Sequence, residues 1–99
     1  MKIMKIKCSN LVRQNIDKFE RLINKAQMSN MKYVVPYNDE DKNIIELFHN
    51  ELIELHSHSE EVYFLKFVSA YFINDENLIF YIMVDNPQKV INLIKNQFD

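Results

Sequence analysis

None of the 99 residues is glycine, where a chain of average composition would carry roughly seven. Glycine supplies positive-φ turns and the close backbone approach that phosphate-cradling loops need. Its absence therefore excludes a P-loop, a GxGxxG dinucleotide fingerprint, a GxSxG nucleophile elbow and a standard RNA-recognition strand. Tight turns fall instead to asparagine and to clusters of polar residues.

With 47% hydrophobic and 12% aromatic residues, the chain has the means to bury a modest core. One globular domain spanning residues 1–99 is expected, with no disordered body. No apolar run approaches the ~18 residues of a membrane span. The start, Met1-Lys2-Ile3-Met4-Lys5-Ile6-Lys7, alternates charge with hydrophobe where a signal peptide would be continuously apolar. A single cysteine, Cys8, suits a reducing compartment and reads as a small hydrophobe ending the first strand. The expected location is the cytoplasm of a bacterial host. Lys, Asn and Ile make up 34 residues, whereas arginine is confined to Arg13 and Arg21. AT-rich codons produce such a bias, which points to a low-GC bacterium, its phage or a plasmid.

Net charge is only −2, yet charge is segregated along the chain. Residues 1–37 carry +6, residues 38–65 carry −7, and the remainder −1. Such a dipolar chain pairs its own halves, associates with a copy of itself, or offers one face to a charged partner.

Spacing predicts an α+β fold: a small single-layer mixed or antiparallel sheet and three helices, at about 10–28, 39–56 and 87–98. Lys2 to Cys8 reads as an edge strand marked by its lysines. Asn10 or Ser9 caps a helix whose Val12, Ile16, Phe19, Ile23 and Ala26 fall at three- and four-residue intervals, with Leu11 and Leu22 widening the stripe. This helix ends near Met28 to Asn30, where asparagine takes the left-handed position. Met31 to Val35 is a short strand stopped by Pro36. Asn38 caps the second helix, Asp39, Glu40 and Asp41 suit its positive pole, and Ile44, Ile45, Phe48, Leu52 and Leu55 form its buried stripe.

The aromatic hairpin at about 62–84 is the most diagnostic stretch. Val62 to Ile73 and Leu78 to Val84 flank the polar turn Asn74-Asp75-Glu76-Asn77. With Ile73 opposite Leu78, Tyr71 meets Phe80, Ala70 meets Tyr81, and Lys66 meets Asp85. Phe64, Val68, Phe72, Ile79, Tyr81 and Met83 then share one face, and Phe67, Tyr71, Ile73, Leu78, Phe80, Ile82 and Val84 the other. Asp85-Asn86-Pro87 starts the last helix, with Val90, Ile91, Ile94 and Phe98 as its stripe.

Three sets of residues bear on function. His56, His58 and Glu60, in the run His56-Ser57-His58-Ser59-Glu60-Glu61, are the only gathering of metal ligands, and a metal-binding protein or small metalloenzyme is one reading; a polar turn after a helix end is the plainer one. Glu46 and His49 match the ExxH spacing of di-iron bundles in a single copy, where those proteins need a repeat. Lys7 flanks Cys8, but no histidine base is placed beside that thiol. Lys18, Arg21 and Lys25 share one stripe of the first helix and would serve nucleic-acid binding, a reading disfavoured by the overall acidity and scarce arginine.

With no catalytic constellation, the expected function is contact with another protein. The chain reads as a stoichiometric inhibitor, immunity or anti-defence protein of a phage or mobile element, not an enzyme and without a cofactor. Glu46, Glu54, Glu60 and Glu61 would steer a partner with a basic surface, and Tyr37 and Tyr63 would anchor it. Self-association through the second face of the aromatic sheet is a further expected contact.

Overall fold

Ser9 accepts a hydrogen bond from the Val12 amide at 3.3 Å and so caps the first helix, α1 (Asn10–Lys25). Val12, Ile16, Phe19 and Leu22 line its buried side. This is the structure of residues 5–56 and 61–96, described from a computed structural model of the chain. Before α1 lies the strand β1 (Lys5–Lys7); after it come β2 (Gln27–Ser29) and β3 (Lys32–Pro36). The second helix, α2 (Asp39–Asn50), precedes β4 (Ile53–His56), β5 (Val62–Leu65), β6 (Ala70–Asn74), β7 (Asn77–Tyr81) and the helix α3 (Pro87–Lys95).

The expected α+β architecture is present, but its sheet is two sheets. One has the order β1-β4-β5 and the other β2-β3-β7-β6, and every ladder is antiparallel. The division falls at Phe67 and Val68, expected on opposite faces of one strand: both lie outside any strand and are fully buried in the main cluster. The segment read as one strand from Val62 to Ile73 breaks between Leu65 and Ala70 and passes from one sheet to the other. The hairpin register holds where pairing continues: Ile73 faces Leu78, Tyr71 faces Phe80 and Ala70 faces Tyr81. The expected Lys66–Asp85 pair is not made, because the ladder ends at Tyr81.

Two helix ends also differ from expectation. The first stops at Lys25 and not at Met28, since Ala26 is already extended and Gln27–Ser29 pairs with β3. Asn30 is left-handed, at φ 58°, but it turns the β2–β3 hairpin and caps no helix. The second helix stops at Asn50 and not at His56. The spacing of Phe48, Leu52 and Leu55 fits a helix, yet Ile53 and Leu55 also alternate with Glu54 and His56. The alternation prevails because Leu55 is flanked by Ile6 of β1 and Tyr63 of β5. Leu52 is consequently exposed, and Leu11, expected to widen the buried stripe of α1, is exposed as well. Phe98 lies outside the described residues.

One buried cluster collects residues from both sheets and all three helices. At its centre Phe19 stacks on Phe48 at 4.1 Å and tilts against Phe67 at 5.0 Å. α1 packs against both other helices. Lys95 of α3 binds Glu20 of α1 and lies 3.3 Å from Asp17, while Gln88 donates to Glu20. No helix among the described residues is long and apolar enough to cross a membrane.

Candidate functional site

Pro36 ends β3 and hands the chain to Tyr37, whose amide donates to the Glu76 carbonyl at 2.8 Å. That bond ties the entry to α2 onto the β6–β7 turn. Asp75, at φ 56°, supplies the left-handed residue of this turn. Pro36, Tyr37, Ile73, Asp75 and Glu76 line a groove of about 540 Å³. Its apolar floor carries Tyr37 at 37% and Ile73 at 48% exposure. No cation lines it.

Carboxylates continue around this groove into α2. Asn38 caps the helix by accepting from the Asp41 amide at 2.7 Å, and its side-chain amide donates to Asp41 at 2.9 Å. Tyr37 donates its hydroxyl proton to Asp39 at 2.7 Å, which raises the phenol pKa above its ordinary value. About two turns further along α2, Glu46 accepts from the Tyr71 hydroxyl at 2.9 Å and raises that phenol likewise. Lys42 lies 3.8 Å from Glu46. His49, the other half of the ExxH spacing, meets Tyr71 edge-on at 5.2 Å. Both residues of that spacing thus engage a tyrosine of β6.

The remaining acidic candidates stand elsewhere. Glu54 is on β4, opposite Phe64 and beside His56, whose Nε2 contacts its carboxylate. Glu61 accepts from the Tyr63 hydroxyl, which raises that phenol pKa. The expected acidic surface is therefore divided. Tyr37 and Glu46 border the four-stranded sheet, whereas Glu54, Glu61 and Tyr63 belong to the three-stranded one. Glu60 and His58 lie outside the described residues. His56 is on a strand rather than a helix end, and among the described residues no three metal-binding side chains converge.

Lys18, Arg21 and Lys25 do line one groove, of about 470 Å³, with Leu22 and Ile44 beneath them. Asn38, the cap of α2, and Glu40 and Asp41 in its first turn line the same groove, and Lys25 pairs with Asp41 at 2.7 Å. The basic stripe thus meets the acidic start of α2 within the chain, which lowers the field available to phosphates. Cys8 is half-buried against the main cluster.

Sequence reasoning singled out Tyr37 but not Ile73, Asp75 or Glu76 as its neighbours. The hairpin register was readable, but the pairing of Pro36 with Asn77 that brings the turn to Tyr37 is a contact between distant segments with no local signal. No protein-family model, no curated protein and no solved structure matches this chain.

Proposed function

We propose that the chain is a protein-binding module, of the stoichiometric inhibitor or immunity type, whose acidic groove at the β6–β7 turn takes a basic protein surface. One observation carries this reading: an exposed aromatic and aliphatic floor, Tyr37 and Ile73, edged by Asp75 and Glu76 with no cation among the described residues of the lining. Buried aromatic anchors supply most binding energy at protein interfaces, and rim charges steer the encounter. Tyr37 is suited to anchor because its hydroxyl and amide are both already hydrogen-bonded, so little side-chain freedom is lost on docking. The AT-rich composition suits a phage or mobile element of a low-GC bacterium.

A displayed library of random peptides, selected on the purified chain, tests the reading. Selected peptides are expected to be rich in Arg and Lys with interspersed aromatics. Asp75→Lys with Glu76→Lys should abolish their binding, and Tyr37→Ala should weaken it by about thirtyfold, with melting temperatures little changed. Binders without a basic bias, or indifferent to these substitutions, would contradict it.

A further inference from the structure

We propose that two copies of the chain pair edge to edge through β5, antiparallel about a two-fold axis at Tyr63, and so join their three-stranded sheets into one. The observations are separate from those behind the acidic groove. Among the described residues β5 pairs on one side only, with β4. Its side chains Val62, Tyr63 and Phe64 are 45%, 52% and 67% exposed, and none is charged. An uncharged apolar edge is a ready template for another strand. The opposite edge of the same sheet, β1, bears exposed Lys5 and Lys7. Growth is thus open at one edge and guarded at the other, which closes the assembly at two copies rather than a fibre.

Charge selects the second copy as the occupant. The segment runs Glu61-Val62-Tyr63-Phe64-Leu65-Lys66, with an acid before the apolar strand and a base after it. Antiparallel pairing brings the Glu61 end of each copy beside the Lys66 end of the other, twice by symmetry, whereas parallel pairing would set like charges together. Register follows from the pleat and from burial. A two-fold axis through an antiparallel pair requires directly opposed residues to share a face, so the axis passes between a residue and its own copy. Centring on Tyr63 sets Val62 opposite Phe64 of the other copy and Glu61 opposite Leu65. Centring on Phe64 would draw in Phe67, which is fully buried within its own chain.

Light scattering on the full chain tests this, from about 10 μM to 1 mM because a contact this short is at the weak end of interfaces. The mass should rise from 12.0 kDa toward twice that value. Phe64→Lys should remain monomeric throughout with its melting temperature unchanged. In a Cys8→Ser background, Tyr63→Cys should form an intermolecular disulfide, since opposed residues have Cα atoms roughly 4.5–5.5 Å apart. Val62→Cys should not. A monomer at 1 mM, a dimer indifferent to Phe64→Lys, or equal crosslinking at residues 62 and 63 would each overturn the proposal.

Discussion

Phe19 is the side chain on which helix and strand connections converge, stacked on Phe48 and tilted against Phe67 with no exposed surface. Phe19→Ala should cost about 3–5 kcal/mol, because the cavity opens where three rings meet and cannot collapse. Phe64→Ala, on a largely exposed ring, should cost less than about 0.5 kcal/mol. Urea midpoints of the two variants give the comparison. Glu20 acts at the same scale through charge. Its carboxyl pKa is lowered from 4.5 by hydrogen bonds from Lys95 and then Gln88, and the Lys95 pKa is raised from 10.5 chiefly by its bond to Glu20. The Glu20 contribution is complete above about pH 4.5 and fades as pH falls through its lowered value. The Lys95 contribution is complete below 10.5 and fades as pH rises through its raised value. Glu20→Gln should therefore be less stable at pH 7 and should lose stability less steeply below pH 4.5, measured as urea midpoint against pH.

At the scale of elements, the missing glycines reappear as two left-handed residues, Asn30 and Asp75, each in a hairpin turn. Asn30→Val should cost about 1–2 kcal/mol through the clash of a branched Cβ at positive φ. Asn30→Gly should not destabilise by more than about 1 kcal/mol, since relief of strain offsets the freer unfolded chain. Thermal melts of both variants check this. Most elements were legible: the caps Ser9, Asn38 and Asn86, Pro87 opening the last helix, and the hairpin register are local chemistry. One misread segment fits two periods at once. From Ile53 to Leu55 helical spacing and strand alternation coincide, and pairing with Ile6, distant in sequence, and with Tyr63 of the following strand decides between them. Gln27–Ser29 carries no periodic signal and becomes a strand because β3 lies beside it. The candidate site was legible as Tyr37 and an acidic neighbourhood, but not as a groove, because Ile73, Asp75 and Glu76 join it through strand pairing.

Across the whole molecule, the charge segregation seen along the chain is partly discharged internally. Lys25 pairs with Asp41, and Lys18 and Arg21 share their groove with Glu40. Among the described residues no cation lines the acidic groove around Tyr37 and Ile73, at the end of the sheet where two segments distant in sequence meet. The measurement that bears most directly on this account is amide chemical-shift mapping of the isotope-labelled chain, titrated with a basic peptide drawn from a random library. The account predicts perturbations centred on Tyr37, Ile73, Asp75 and Glu76, diminishing as salt rises. Perturbations centred on Lys18, Arg21 and Lys25, or the failure of any basic peptide to bind, would contradict it.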